Sequence, residues 1–423
     1  MEMTAQQRDV RAKQAANAPK NPTAWIIAVS CFVLIGGALF LYSRVSWQQA
    51  LLYVLGAFGG FVLYQAHFGF TSAWRKFILY RQGEGIRAQM VMMAVASALF
   101  LPLLIKGSIF GHSVAGNVHE VGIAVMIGAF IFGIGMQLGD GCASGTLYHI
   151  GGGDTNGVVT LIGFIAGSVI ATTHFDVWMR MPHVDPISLI ASFGAWGGFL
   201  LQLVLLAVVY YVVTVMEKRR HGKLLTTPLE HRHGWKTIYK GPWSLLVGAL
   251  LLALMNVLVL MFKGSPWGIT SAFALWGAKF VQLFGVDPTA WAYWQDEAKR
   301  QALANPLYYD TTTVMDISLM FGALLAAALA GRYTKPVQWK RPTRMTIGAL
   351  IGGLMMGYGA RLAFGCNIGA YFSGIASFSV HGWIWFVFAF LGSLIGVKLR
   401  PYCESVKTLW RTFFRFTTGV VNH

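Results

Sequence analysis

Two cysteines carry the most pointed chemistry in this sequence. Cys142 stands in Gly141-Cys142-Ala143-Ser144-Gly145 and Cys366 in Gly365-Cys366-Asn367-Ile368-Gly369, so each follows one glycine and comes three residues before another. Small residues let backbone approach a ligand closely, and a helix restarting at the cysteine turns its free amides toward the break. Helix N-termini favour anions through those amides and through the helix dipole. A thiol there is a weak donor and a soft acceptor, suited to a polarisable sulfur or selenium anion. Ser144, His149, Asn367, Tyr148 and Tyr371 offer further hydrogen-bonding groups, and Arg361, five residues before Cys366, adds a cation within an apolar stretch. The plainer alternatives stay open. A buried cysteine usually behaves as a small hydrophobe, and Arg361 could snorkel or pair with Asp140, the other charge nearest the two motifs.

The two motifs are copies of one pattern. A shift of 224 residues lays Ile127 to Gly153 on Ile351 to Ile375 and matches Ile127/Ile351, Gly128/Gly352, Gly133/Gly357, Gly135/Gly359, Leu138/Leu362, Gly141/Gly365, Cys142/Cys366 and Gly145/Gly369. Glycine is plentiful here (49 of 423), but a matched Gly-Cys pair in a chain with four cysteines points to an internal duplication. A weaker echo, Gly69 to Trp74 (GFTSAW) against Gly268 to Phe273 (GITSAF), lies ahead of each copy.

The elements that must position these residues are membrane helices. The chain is 56% apolar and 12% charged, which no ordinary soluble domain is. Apolar runs recur at Ala24 to Tyr42, Trp47 to Gln65, Ala88 to Ile105, Val121 to Leu138, Thr155 to Phe175, Gly194 to Met216, Pro242 to Phe262, Thr313 to Arg332, Thr346 to Leu362 and Ala376 to Leu399. Each is long enough to cross about 30 Å of hydrocarbon as helix. The expected fold is therefore an all-α polytopic membrane protein of about ten transmembrane helices. Its domains are a tail at 1–23, an N-terminal membrane repeat at 24–216, a basic linker at 217–241, a C-terminal membrane repeat at 242–399 and a tail at 400–423. The basic opening segment reads as a tail rather than a cleaved signal.

Charge placement sets the orientation. With the N-terminus inside, 25 of the 33 Lys and Arg residues fall on cytoplasmic segments, which favours both termini inside. Cys142 then follows a span running inward and Cys366 one running outward, five spans later. Two five-helix repeats related in this way are inverted, and an odd repeat length demands inversion. The segments too short to cross, two in each half, are read as re-entrant helices, tolerated where they line a polar cavity.

Other chemistries lack a pattern. No HExxH, GxSxG or phosphate loop occurs, so no enzyme is expected. Cysteine spacing offers no disulfide framework or zinc site, and no cofactor is expected. Net charge of +17 is explained by topology rather than nucleic acid. His221, His231 and His233 read as solvated linker residues, and Lys279, His67, His119 and Glu120 as structural or solvated. Trp25, Trp47, Trp196, Trp235, Trp243, Trp339 and Trp410 read as interfacial belts.

At GDGCASGTLYHIGGG and GARLAFGCNIGAYFSGIASFSVHGW the chain resembles the YeeE/YedE sulfur-transport family, and the second motif is most similar to its YedE branch, linked with selenium metabolism. The resemblance implies a bacterial inner-membrane protein taking a small inorganic anion such as thiosulfate, passed along cysteines by S-H hydrogen bonds. Cys142 and Cys366 take the places of two such cysteines. It further implies a cytoplasmic sulfur- or selenium-carrier protein as partner. Importers of the family carry a third cysteine in the first re-entrant piece, and aligning HFGFTSAWRK on it puts Gly69 there. Two function classes thus stand side by side: a transporter or selective channel for a sulfur or selenium anion, and a membrane thiol-redox or sulfur-transfer component whose cysteines turn over covalently. A scaffolding role is disfavoured, because helices broken at matched depths forfeit backbone hydrogen bonds in lipid.

Overall fold

Apolar runs punctuated by glycine fold here as helices punctuated by breaks. The computed structural model describes residues 22–227, 236–334 and 342–403. His231, His233, Trp235, Trp339, Trp410 and most of both expected tails lie outside the described residues. The principal helices are α1 Pro22–Arg44, α2 Trp47–Gln65, α3 Phe70–Tyr80, α4 Glu84–Lys106, α5 Ile123–Leu138, α6 Ala143–Gly151, α7 Thr155–Thr173, α8 Leu189–His221, α9 Leu245–Lys263, α10 Thr270–Gln282, α11 Thr311–Leu329, α12 Thr343–Leu362 and α13 Val380–Cys403. A π-helical turn, Asn367–Ser373, stands between α12 and α13.

Among the described residues nine helices are long and apolar enough to cross a membrane, ten if Thr343–Leu362 and Asn367–Ala376, bent by 43°, count as one span. This is an all-α multi-pass membrane protein, with each of the ten expected runs found as helix. Gly194 (φ 73°) interrupts α8, so the long unbroken part starts where the sixth run was read, but it continues to His221, past residue 216. The four short pieces read as re-entrant are α3, α6, α10 and the π-helical turn. Side-chain caps fix several starts: Ser46 accepts from the Gln49 amide, Asp154 from Asn156, and Asp310 from Thr313 at 2.7 Å.

Helix pairing follows a pattern. α2 packs on α11 and α4 on α9; α7 packs on α12 and α5 on α13; α1 packs on α11 and α4 on α8; α3 packs on α13 and α7 on α10. At the centre α5 crosses α12. Exchanging α1 with α8, α2 with α9, α3 with α10, α4 with α11, α5 with α12 and α7 with α13 returns these same pairs, whereas the packing of α1 on α2 and of α12 on α13 has no such counterpart.

The central crossing is made by glycine. A Cβ on Gly128 would lie 2.8 Å from the Gly359 carbonyl oxygen, and one on Gly135 2.7 Å from that of Gly352. In return Gly352 faces the Gly135 oxygen at 2.6 Å, and Gly359 faces that of Gly128. Glycine inside a helix costs about 1 kcal/mol against alanine. Close backbone approach between small residues is how membrane helices associate when lipid offers no hydrophobic drive. Of the ten glycines in the five matched pairs, these four make the crossing, and Gly133 and Gly357 pack as closely on the Ala389 and Phe164 carbonyls of α13 and α7.

Candidate functional site

Both cysteine turns are built by the same backbone. After α5 the chain passes through Asp140 in the left-handed region (φ 61°) and Gly141 to Cys142, extended at φ −82°, ψ −170°, where α6 begins. After α12 it passes through Phe364 (φ 53°) and Gly365 (φ 147°) to Cys366, extended at φ −114°, ψ −166°, where the π-helical turn begins. A non-glycine residue with positive φ is uncommon and costs about 1 kcal/mol or more. Here it recurs two residues before each cysteine, and each cysteine takes the N-cap position of the helix that follows.

Both thiols are free and buried, Cys142 at 1% and Cys366 at 0% exposure. Neither side chain makes a capping hydrogen bond, while the Ser144 and Gly145 amides act on the first sulfur and those of Ile368 and Gly369 on the second. The Cys142 sulfur lies 3.3 Å from the Ser144 hydroxyl. At the second turn the Asn367 amide group is fully buried, and its oxygen and nitrogen both lack a hydrogen-bond partner, which native proteins rarely leave so. α6 and the π-helical turn adjoin each other. The short helices α3 and α10 close in beside them: a Cβ on Gly69 would lie 3.5 Å from the Tyr148 hydroxyl, and one on Gly369 3.9 Å from Gly268 Cα. Tyr371 is held in aromatic packing, stacked on Phe386 at 5.0 Å and edge-on to Trp74 at 5.6 Å.

A cavity of about 320 Å³ opens over the second turn. Gly365 and Gly369 line it on either side of Cys366, and Lys263, Lys299 and Arg361 supply three cations with no carboxylate among the lining residues. Arg361 donates to the Tyr293 hydroxyl at 2.8 Å, and its buried Nε has no partner. The Lys299 ammonium lies 4.4 Å from the Tyr293 ring centre. The loop before α5 seals one wall: Asn117 donates to the Gly369 carbonyl at 2.7 Å, and His119 meets Asn117 Oδ1 at 2.9 Å and stacks on Phe364 at 4.5 Å. Burial, with Lys299 acting in the same sense, pushes the His119 imidazole down to about 4. It is neutral at physiological pH.

The first turn has tighter surroundings. Asp140 is clamped between Arg75 at 2.7 Å and Arg400 at 2.9 Å, and Arg400 also donates to the Gln137 carbonyl. A cavity there amounts to about 60 Å³, lined by Asp140, His149 and Arg400 among others, and a separate one of about 30 Å³ is lined by His67, Gly69 and Lys76 among others. Asp140 and Arg361, the nearest charges in the sequence, do not pair; each belongs to a different end. Of the expected residues, Gly141, Cys142, Ser144 and Gly145 gather at one turn and Gly365, Cys366, Asn367 and Gly369 at the other. Arg361 faces the large cavity, while His149 faces the small one beside Asp140. Among the described residues no group of three His, Cys, Asp or Glu side chains could hold a metal ion.

Sequence reasoning missed Lys263, Lys299, Tyr293 and Asn117, which approach from loops and helix ends, and it set His119 aside as structural or solvated. It also passed over Asp316, an acidic residue inside an expected span, which is itself a signal.

A helical multi-pass assembly whose broken helices bring paired polar turns together beside a cation-lined cavity has the build of a membrane carrier or channel. Residues 65–395 match the family described as sulphur transport, and the chain belongs to that family. It is 25% identical to the thiosulfate transporter TsuA of Escherichia coli (strain K12) over 80% of this chain and 91% of that one. It is 26% identical to TsuA of Spirochaeta thermophila over 80% and 95%. With the probable transporter YedE of Escherichia coli it shares 31% identity over 169 residues, 40% of each chain. The match thus spans about two fifths of that relative's length.

Proposed function

We propose that this protein moves a small sulfur-containing anion of the thiosulfate kind across the membrane, from the 320 Å³ cavity past Cys366 and then Cys142. The observation that carries this reading is the cavity itself: three cations, no carboxylate, and in its wall Gly365 and Gly369, the glycines on either side of the buried Cys366. An anion leaving water for that cavity exchanges hydration for Arg361, Lys299 and Lys263, then for helix-terminal amides and S-H donors. The exchangeable helix pairs and the reciprocal glycine crossing support two inverted repeats. Lys and Arg placement supports both termini on the cytoplasmic side of a bacterial inner membrane, the large cavity outside and the Asp140 clamp within. A cytoplasmic sulfur or selenium carrier would receive the cargo, and selenium analogues of the anion fit the same soft contacts.

The test is uptake of labelled thiosulfate into vesicles holding the purified protein, with selenite and sulfate beside it. Thiosulfate uptake saturating and competed by unlabelled thiosulfate is expected; no uptake of any of the three anions overturns the proposal. A persulfide or mixed disulfide trapped on Cys142 or Cys366 during turnover would favour the sulfur-transfer reading instead.

A further inference from the structure

Asp316 is the one charged residue of α11 and lies five residues inside it, at 0% exposure, with neither carboxylate oxygen hydrogen-bonded. An ionised carboxylate left so in a dry interior costs several kcal/mol, and proteins avoid that by keeping it neutral or pairing it. Under the proposed exchange of α4 with α11, its counterpart is partnered. Gln89 stands five residues into α4 as Asp316 stands five into α11, and its amide oxygen accepts from the Trp74 indole at 3.0 Å and from the Tyr371 hydroxyl at 3.5 Å.

The location is as telling as the lack of partners. One helical turn before Asp316 is Thr312, a wall residue of the large cavity. One turn after it is Met320, whose carbonyl oxygen faces Gly151 of the helix that Cys142 caps. Asp316 thus stands between the cavity and the far end of the short helix that starts at Cys142. The charged groups acting on it are Lys263, from the cavity wall on α9, and Asp310, the cap of its own helix. Cys366 in turn lies within its electrostatic reach. Other titratable groups on helices packed against α11 are engaged elsewhere. Tyr53 of α2 donates to the Val33 carbonyl, Lys279 of α10 to that of Leu303, and Tyr148 and His149 of α6 interact with Asp140 and Arg75.

We propose that Asp316 is a proton-binding site that couples movement of the anion to movement of a proton in the same direction. Resting on the transport reading above, the cycle is balanced: one proton from the cavity side converts the carboxylate to the acid, the anion passes, and the proton leaves on the far side. No bond other than O-H forms or breaks, and no reductant or oxidant is needed.

The test uses the full chain in vesicles with the membrane potential clamped at zero and thiosulfate as probe. An inward difference of one pH unit should drive about tenfold accumulation if one proton travels with each anion. Asp316→Asn should accumulate none above equilibrium while still exchanging labelled for unlabelled thiosulfate at a measurable rate. Wild-type transport indifferent to the pH difference, or driven by a sodium difference instead, overturns the proposal and leaves the proposed function standing. A separate readout does not depend on transport: a protonated-carboxyl infrared band in the wild type at neutral pH, missing from Asp316→Asn. Its absence from the wild type overturns the proposal whatever the vesicles show.

Discussion

The two cysteine turns share a backbone and differ in what surrounds it. At the left-handed position the first turn has Asp140, pinned by Arg75 and Arg400, and the second has Phe364, stacked against His119. A regular nine-residue helix follows Cys142, whereas a wider π-helical turn follows Cys366, where the Tyr371 amide reaches the Cys366 carbonyl at 3.3 Å. A cavity of about 60 Å³ adjoins the first turn and one of about 320 Å³ the second. The comparison teaches that the break in the helix and the chemistry around it are separable. Glycines and a left-handed residue make the turn; side chains from other helices make one end a closed clamp and the other an open cationic vestibule.

The sharpest way to break the comparison is to remove each sulfur in turn. Losing a hydrogen bond to a charged ligand costs about 1.5–3 kcal/mol, so Cys366→Ala and Cys142→Ala should each lower thiosulfate uptake about 10- to 100-fold. Both residues are tightly buried, so thermal unfolding should also register a loss of about 1 kcal/mol. Serine at the same positions keeps a donor and should recover part of the rate. Normal uptake by both alanine variants would show that the turns matter only as backbone.

The vestibule is probed next. Arg361→Gln should raise the KM for uptake about tenfold, and Arg361→Lys by less, because a retained cation still attracts the anion. Equal KM for wild type and Gln would return Arg361 to a structural role against Tyr293.

At the closed end the expected effect is smaller. Asp140 has a side chain 47% exposed, so its two ion pairs are partly screened and worth about 0.5–1 kcal/mol in all. Asp140→Asn should speed maleimide labelling of Cys142 about two- to fivefold while leaving labelling of Cys366 unchanged. Equal acceleration at both cysteines would mean that the clamp holds the whole path rather than one end.

The last effect concerns pH. His119 is held at about 4 when folded against 6.5 for the free side chain, so the unfolded chain binds its proton first. Its contribution is fully present above 6.5 and is lost as pH falls toward 4. A His119→Gln variant should lose less stability than wild type between pH 6.5 and 4 in a thermal melt series. Parallel curves would place His119 in contact with solvent.

Much of the fold was legible because lipid imposes a simple rule on sequence: every run of about twenty apolar residues was found as helix, and glycine with small polar residues marked the breaks. Both cysteine turns were legible for the same reason, since their determinants are local. What was not legible depends on distance along the chain. Arg75 and Asp140 are 65 residues apart, and Asn117 and Gly369 are 252 apart, so no window of sequence contains either contact. The cavity is shaped by loops whose composition looks merely polar. The π-helical turn gave no periodic signal, and Asp316 was visible as a lone charge but not as an unpartnered one.

One further consequence follows from the crossing of α5 and α12, where Gly128 meets Gly359 and Gly135 meets Gly352 with no side chain between. Inheritance is constrained there in an unusual way. A mutation adding even a methyl group to one helix strikes the backbone of the other, so no change of side chain on the facing helix could relieve it. Glycine alone fits these four positions, whereas the left-handed residues that open the two cysteine turns, Asp140 and Phe364, differ from each other without cost to the crossing.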